Sequence, residues 1–558
     1  MKPVFDLARH SARMAISTRI LVLALLVPLI TGFDYQETQP APSSRIADAS
    51  STLTEQESQH GAYRPDGTGY NWRRDNSSVQ VTLAATDSVP APGKAKAEPG
   101  AAKPESGAAK PEPGSSKPER ATVLDWETGA GKSYLIPAIE VPVFLTLLNI
   151  RNRFTYEEGG DYNSNLSTAW EHLRHQDWVI DTDPFNTNQF GHPYQGSIMY
   201  GMARSTGLNF WESSLYSNVG SFLWEVAGET PSPSFNDLVT TGTSGSLLGE
   251  ALFRMSALVL NASGDRPDFW HELGAAIISP TTALNRLAFG ERFKPIYATH
   301  DPATFWRIRL GAVLGGNAEQ AATADFAMSY GLPGKVGYSY KRPLDYFDFE
   351  ISGLSTSQNP VGFVFLRGLL LGKPYDAGEN YRGIWGLYGS YDYISPGEFR
   401  VSSTAVSLGT TGQYWVAPGV ALQGSFLGGL GFGAAGITPA QANIRRDYHY
   451  GVTPQLTLAL RLLFGDRAVL ETVGRGYIVT GSGSDNATGS ERIGRGVVNL
   501  NVRVIGRHGL GVQYVVSGRD AHYGNLPSQH QKDDTVSLVY TFTGDSHFGA
   551  VGWQQHNQ

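Results

Sequence analysis

Residues 498–504, with the sequence VNLNVRV, are the stretch that decides the fold of this chain. Apolar and polar side chains alternate strictly along it, with Val498, Leu500, Val502 and Val504 set against Asn499, Asn501 and Arg503. Because successive side chains of a β-strand point to opposite faces, such a strand has one apolar and one polar side. Residues 305–315 repeat the pattern, and it is typical of an outer-membrane barrel or of a soluble β-sandwich.

Further segments of this kind fill the chain from about 301 to 543, divided by Gly, Pro and Asn or Asp clusters. Several are about ten residues long, which is the length a tilted strand needs to cross a bilayer. We therefore predict a mainly β protein whose C-terminal part is an antiparallel transmembrane-type β-barrel of about 12 strands, an even number being usual. The segments are 305–315, 321–331, 334–341, 345–354, 360–372, 381–394, 398–409, 411–431 (long enough for two), 447–464, 467–480, 492–506, 509–519 and 534–542.

Aromatic residues mark both the rim and the end of the predicted barrel. The cluster Tyr381, Trp385, Tyr388, Tyr391 and Tyr393 predicts an interfacial girdle. Segment 534–542 ends at Phe542 and is similar to the closing strand by which the barrel-assembly machinery would recognise the chain. Residues 544–558 remain as a C-terminal tail, which either leaves the barrel or adds a strand over 547–553.

Composition and the N-terminal segment point to export. The first 33 residues have a basic start followed by an apolar run from 20 to 33, typical of a signal segment; an uncleaved anchor is the alternative. The chain has no cysteine, which excludes disulfides and thiolate metal sites. Its net charge of −7, without a basic tract, argues against a nucleic-acid partner. The predicted location is the outer membrane of a Gram-negative bacterium, with outer-membrane lipid as a partner.

Residues 34–121 are predicted to be a disordered Pro/Lys/Glu-rich linker. They contain few apolar residues whose burial could offset the entropy lost on folding. The tripeptide Lys-Pro-Glu recurs at seven-residue spacing, at 103–105, 110–112 and 117–119. This composition is typical of a semi-extended spacer, and binding to the cell-wall polymer is the alternative.

A helical module of unknown function is predicted for residues 122–300. Apolar residues recur at helical spacing over 211–229 and 234–260, and Pro280 follows Ser279 as at a helix start. Gly245 and Gly249 would let the second helix approach a neighbour closely. An apolar stretch at 139–150 is interrupted by Pro142. Because charged residues interrupt these segments, we expect a periplasmic module whose helices pack on each other or on the barrel, at or in its mouth.

The string Asn188-Gln189-x-x-His192-Pro193-Tyr194-x-Gly196 is the most distinctive motif of this module. Together with Glu225, Pro231-Ser232 and Asn236-Asp237, it resembles a bacterial envelope protein family of unknown function, the domain of unknown function 3943. The resemblance covers about residues 165–290. It implies an envelope protein and carries no established activity.

His192, Glu225, Glu229 and Asp237 are the candidate catalytic residues, since a histidine among carboxylates can transfer protons to and from a lipid or glycan. A candidate polar network consists of Arg204, Glu212, Glu250 and Arg254. The alternative is that arginine–carboxylate pairs only hold the helices together, because buried charges must be paired. No cofactor or metal is predicted, and Asp181 and Asp183 are interpreted as turn residues.

Arg307, Arg309, Arg461 and Arg503 lie on the polar faces of their strands and predict a charged lumen. Such a lumen could select solutes, or its charges could simply fill a narrow barrel with ion pairs. The expected role is in envelope structure or in the transport or handling of lipids or small solutes. The alternative is a membrane-embedded envelope enzyme that uses the His192 site.

Overall fold

The computed structural model describes residues 122–155, 160–175, 177–264, 266–315, 322–355, 361–396, 399–436, 448–481, 489–523 and 527–552. The predicted signal segment and linker, at 1–121, lie outside these residues. In the described ranges, a set of helices precedes a C-terminal sheet.

The sheet is a closed antiparallel barrel of twelve strands, in which β1 pairs with β12 and every other strand pairs with its neighbours in sequence. This confirms the predicted fold class and strand number. The strands are β1 Thr304–Gly315, β2 Ala322–Tyr330, β3 Phe347–Leu354, β4 Val361–Ala377, β5 Tyr381–Ile394, β6 Val401–Ala417, β7 Val420–Ala435, β8 His449–Phe464, β9 Ala468–Thr480, β10 Gly489–Ile505, β11 His508–Tyr523 and β12 Gln529–Thr543.

Two of the predicted strand placements are wrong. Segment 334–341 is not a strand but part of the connection between β2 and β3. The break expected at residue 410 lies instead at Pro418-Gly419, where Gly419 has φ +77°, a conformation that glycine adopts without strain. Gly409 and Gly412 are inside β6, where a side chain on Gly409 would collide with β7 at Phe426 O, 2.0 Å away. Those glycines therefore serve packing and do not mark a turn.

The two ends of the barrel differ in the length of their connections. Four connections at one end are short, at 378–380, 418–419, 465–467 and 506–507, and the fifth, 331–346, is long. We call this the short-turn end, and β1 starts and β12 finishes there. At the other end, the long-connection end, all six connections have five or more residues.

The helical module contains seven helices in the described ranges: α1 Leu135–Thr155, α2 Leu166–Arg174, α3 His192–Ser205, α4 Phe210–Ala227, α5 Gly245–Asn261, α6 Phe269–Ile278 and α7 Pro280–Ala288. A π-helical turn, Thr187–Gly191, leads into α3, and Phe235–Asp237 with a second π-helical turn, Leu238–Ser244, leads into α5. The helices predicted near 211, 234 and 280 are confirmed. Pro142 does not break the first apolar segment, which is the continuous helix α1.

By length and composition, α1 is the one helix in the described part of the chain that could cross a membrane. The interruption expected at Pro142 made this segment look too short. Its apolar residues continue on both sides of the proline, from Leu135 to Phe154.

Close contact between α3 and the start of α5 forms the centre of the module. A Cβ atom on Gly196 of α3 would lie 1.7 Å from the carbonyl oxygen of Thr241, and one on Gly245 would lie 2.6 Å from Gly196 Cα. Gly249 similarly leaves room for the Tyr200 ring, 2.6 Å from the position of a Cβ atom. The close approach predicted from Gly245 and Gly249 is thus present, and α1 packs on α3 and α4 through Val141, Leu145 and Leu148.

The module packs against the outer wall of the barrel and not in its mouth. On β5, Ser390 and Asp392 line the lumen, whereas Tyr391 and Tyr393, on the opposite face, contact the π-helical turn before α3. On β6 the outward-facing Thr404 bonds with Ser244, and Leu247 lies against Gly389 of β5. The expected position at or in the mouth is therefore wrong, because the wall over these strands carries the aromatic surface that the helices bury.

Candidate functional site

Three of the four candidate catalytic residues meet where the module touches the barrel. His192 begins α3, Glu225 lies near the end of α4, and Asp237 precedes the second π-helical turn. All three side chains are buried. His192 Nε2 lies 3.8 Å from Asp237 Oδ1, and Glu225 Oε2 accepts a 2.7 Å hydrogen bond from the Ser234 backbone N–H. Glu229 follows the end of α4, four residues after Glu225, and accepts a bond from Trp224 Nε1.

Asp237 is held by its neighbours in the motif. Its carboxylate accepts hydrogen bonds from the Ser234 hydroxyl and from Asn236 Nδ2, the latter at 2.7 Å. Asn236 Oδ1 in turn accepts the backbone N–H of Asp181 at 2.8 Å. Asp183 donates its backbone N–H to Asp181 Oδ2 at 3.1 Å, the local bond expected of a turn. The described residues contain no group of three potential metal ligands.

The side chains of His192, Glu225 and Asp237 are buried together. Carboxyl groups beside a histidine are chemically able to exchange protons.

Two polar atoms of the cluster, His192 Nδ1 and Asn188 Oδ1, are buried without a hydrogen-bond partner among the described residues. Most buried polar atoms in proteins have a partner, and each exception calls for an explanation such as a function or a bound molecule.

The motif also joins the module to the barrel, through tyrosines whose contacts the sequence did not predict. Asn188 Nδ2 donates to the Tyr448 hydroxyl at 3.0 Å. Gln189 and Asn236 both donate to the Tyr450 hydroxyl, at 2.7 and 3.0 Å. The Tyr391 hydroxyl donates to the Gln189 carbonyl oxygen at 2.5 Å. The several tyrosines in the sequence of β5 and around the start of β8 could have indicated this interface.

The residues of the predicted aromatic girdle accordingly lie in different environments. Tyr391 and Tyr393 are covered by the module, and Tyr388 faces the lumen on the other side of the strand. Trp385 stays exposed on the outer face. The expectation that all of these residues share one interface is wrong, because their side chains alternate across the wall.

The candidate polar network lies away from the His192 cluster. Glu250 accepts hydrogen bonds from Arg204 Nε at 2.8 Å, Arg254 Nε at 2.7 Å and the Tyr200 hydroxyl at 2.6 Å. Arg254 also pairs with Asp345 of the β2–β3 connection at 2.9 Å. Arg204 lies twelve residues after His192 on α3, about 18 Å along the helix. This cluster pairs buried charges and joins helices to barrel, in line with the alternative interpretation.

Glu212, the remaining member of the predicted network, lies at the start of α4. It closes a capping box with Asn209 and pairs with Lys132 at 2.9 Å. Glu212 therefore caps the start of α4 and ties it to the segment that precedes α1.

The barrel encloses a cavity of about 760 Å³. Three of the four predicted lumen arginines lie in it: Arg307 pairs with Glu350 at 3.0 Å, and Arg309 and Arg461 both pair with Glu471. Arg503 lies instead at the short-turn end, paired with Asp466. Sequence reasoning missed Arg475 and Arg495, which lie opposite each other on β9 and β10; the Arg475 guanidinium is 3.6 Å from the centre of the Phe365 ring.

The C-terminal tail folds back into the barrel at the short-turn end. The Val551 carbonyl oxygen accepts bonds from Gln413 and Trp415, at 2.9 and 3.0 Å. The carbonyls of Gly549 and Phe548 accept bonds from Gln423 and Arg461, at 2.8 and 2.9 Å. Both predicted alternatives are therefore wrong for 544–552, which neither leaves the barrel nor forms a strand, because lumen side chains satisfy its carbonyls.

The barrel is similar to solved structures only at low sequence identity and low TM-score. No curated protein matches the chain. Among solved structures, the NanC porin is 8% identical, covering 42% of this chain and 98% of its own, with a TM-score of 0.24. The outer membrane channel DcaP of Acinetobacter baumannii is 9% identical, with 43% and 95% covered and a TM-score of 0.21. The Pseudomonas putida toluene transporter TodX is 9% identical, with 44% and 90% covered and a TM-score of 0.18.

Likeness at these TM-scores is no argument for a shared activity. The helical module gives a more specific result, since the resemblance found in the motif around His192 is confirmed. Residues 177–281 match the family described as Domain of unknown function (DUF3943).

Proposed function

We propose that this protein is an outer-membrane β-barrel that takes small polar solutes into its lumen from the outer side. The observation that carries the proposal is a charged cavity of about 760 Å³ inside a closed barrel, with the tail across one end. A volume of this size is in the range of small-molecule sites.

The outer surface of the barrel supports a position in the membrane. Its strands expose a series of large apolar side chains that a soluble protein would bury, including Leu310, Leu408, Phe426, Leu456, Leu500 and Leu538. Barrels of the outer membrane have short turns on the periplasmic side and longer loops outside. The short-turn end, with the tail, would therefore face the periplasm.

The charges of the cavity favour polar or zwitterionic solutes over strongly charged ones. Six arginines and one lysine line it, and six carboxylates accompany them: Arg307, Arg309, Arg367, Arg461, Arg475, Arg495 and Lys532, with Asp325, Asp348, Glu350, Asp392, Glu471 and Asp533. Because the two sets differ by a single charge, the lumen offers partners to both ends of a zwitterion and attracts neither sign strongly.

The experiment uses the absence of cysteine from the chain. The variant Ser517→Cys places a thiol in the cavity. Leu247→Cys places one in the buried contact between α5 and the barrel wall, as a matched inaccessible control. In intact cells, a small zwitterionic thiol reagent should label position 517 and not position 247. Protein recovered in the soluble fraction without detergent, or a position 517 as unreactive as 247, would refute the proposal.

A second function, an envelope enzyme, is favoured by one observation, the unpartnered Nδ1 of buried His192. In this proposal His192 exchanges a proton with a lipid or glycan substrate, assisted by Glu225 and Asp237. His192→Asn keeps a hydrogen-bonding side chain of similar size, and Glu291→Gln, at an exposed residue outside the cluster, is the control. Loss of a lipid-modification phenotype in a His192→Asn variant that still folds and inserts would support catalysis. Failure of His192→Asn to assemble while the control assembles would show that the cluster is structural.

A further inference from the structure

The helix α1 exposes an unbroken apolar face. Its exposed large side chains recur at helical spacing at Leu135, Ile139, Val143, Leu147 and Ile150. The only charged residue between Leu135 and Ile150 is Glu140, which is half-buried and accepts a bond from Asn285. A face this large and this free of charge is uncommon on a protein surface in contact with water.

The helix α4 exposes a second face of the same kind. Trp211, Leu215, Val219, Phe222 and Leu223 are all exposed, and they too recur every three or four residues. The opposite face of α4 carries its small and polar buried residues, such as Ser213, Ser217, Gly220 and Ser221. This is the reverse of the pattern of a helix on a soluble protein, where apolar residues face the interior.

Among the described residues, neither face takes part in the contact between the module and the barrel. The segments that contact the outer wall are the two π-helical turns and α5, through Gln189, Ser244 and Leu247. The helix α1 packs on α3 and α4, and its apolar face is turned away from them. The uncovered wall of the barrel also exposes large apolar side chains, so wall and helix faces have the same apolar character.

The dimensions and the polar ends of α1 fit a bilayer. From Leu135 to Ile150 the helix rises about 23 Å, close to the roughly 25 Å apolar band of outer-membrane barrels. Lys132, paired with Glu212, lies just before this stretch, and Arg151 and Arg153 follow it. Tyr134 and Trp211 are exposed near the first of these ends. Aromatic and basic residues flanking an apolar helix are typical of a membrane interface.

We infer that the helical module lies in the bilayer beside the barrel, with the outer faces of α1 and α4 covered by lipid acyl chains. This inference rests on the proposed outer-membrane location and replaces the expected position in the periplasm. The module thereby adds membrane-embedded helices to a barrel, with its polar motif enclosed between helices and wall.

Nitroxide labels on single cysteines test the inference in the full chain reconstituted in liposomes. Leu147→Cys and Leu215→Cys report on the two faces, whose native side chains are 45% and 63% exposed. Leu500→Cys, at a side chain 46% exposed on the barrel wall, is the matched lipid control, and Glu291→Cys is the aqueous control. Heat-modifiable migration on gels checks that each variant is folded.

We expect positions 147 and 215 to behave like 500, with frequent collisions with oxygen and a loss of collisions with a water-soluble nickel chelate. If 147 and 215 collide with the nickel chelate as 291 does while 500 does not, the inference is wrong and the barrel proposal stands. If 147 and 215 collide with neither reagent, another protein surface covers them and the inference is also wrong. If 500 itself collides with the nickel chelate, the outer-membrane proposal fails.

Discussion

Glu250 is the position at which a single substitution should most weaken the helical module. Its carboxylate is fully buried and is shared by the guanidinium groups of Arg204 and Arg254 and by the Tyr200 hydroxyl. In Glu250→Ala, Arg254 keeps Asp345, but Arg204 loses the carboxylate with which it pairs and stays buried. The variant therefore leaves a charge without compensation in the interior.

The size of the effect follows from that loss. Removing one partner of a buried ion pair costs about 3–5 kcal/mol, because the remaining charge is still desolvated. Arg204 sets this cost, since Arg254 keeps its pair with Asp345. Glu250→Gln keeps the volume and part of the hydrogen bonding, so its cost should be smaller. Glu291→Ala is the control, because its exposed pair with Lys294 is worth at most about 0.5 kcal/mol.

Hydrogen exchange of the detergent-solubilised full chain measures the effect locally. At about 1.36 kcal/mol per factor of ten, protection of α3 and α5 should fall roughly a hundred- to several-thousand-fold in Glu250→Ala. Protection of β9–β11, on the part of the barrel away from the module, should be unchanged. Unaltered protection of α3 and α5 in Glu250→Ala would refute the reasoning, as would an equal loss in Glu291→Ala.

Two other predictions concern the tail and the helix contact. Deleting 544–558 should raise the conductance of the barrel in planar bilayers, because the tail fills the short-turn end; unchanged conductance would show that the tail does not close it. Gly196→Ala should cost about 3 kcal/mol or more, since its Cβ atom would collide with the Thr241 carbonyl, whereas Gly274→Ala on α6 should be nearly neutral. Hydrogen exchange would compare the two.

The strands could be predicted because the alternation that marks them is a local property. Each of 498–504 and 305–315 shows its apolar and polar faces without reference to any partner. The ends of the strands were harder to predict, because glycines occur both in turns and at positions where neighbouring strands pack closely. Gly409 and Gly412 looked like a break but lie within β6, and the break is at Gly419.

The residues of the candidate site could be predicted only in part. The motif identified His192, Glu225 and Asp237, which the fold does bring together. Arg204, Glu250 and Arg254 form a separate cluster, because His192 and Arg204 lie at opposite ends of α3. Tyr448 and Tyr450, which bind the motif from the barrel, are more than two hundred residues away in sequence. No local pattern could connect them.

The sequence by itself determined that this chain makes a barrel with one apolar and one polar side to each strand. Side-chain direction in a strand has a period of two, and that period is written in the order of residues. What covers the apolar side was decided only by the tertiary structure. Trp385 and Tyr391 face outward from the same strand, yet Trp385 is exposed and Tyr391 is buried by helices that come two hundred residues earlier. The difference depends on where the chain folds back, and contacts between such distant segments leave no periodic signal.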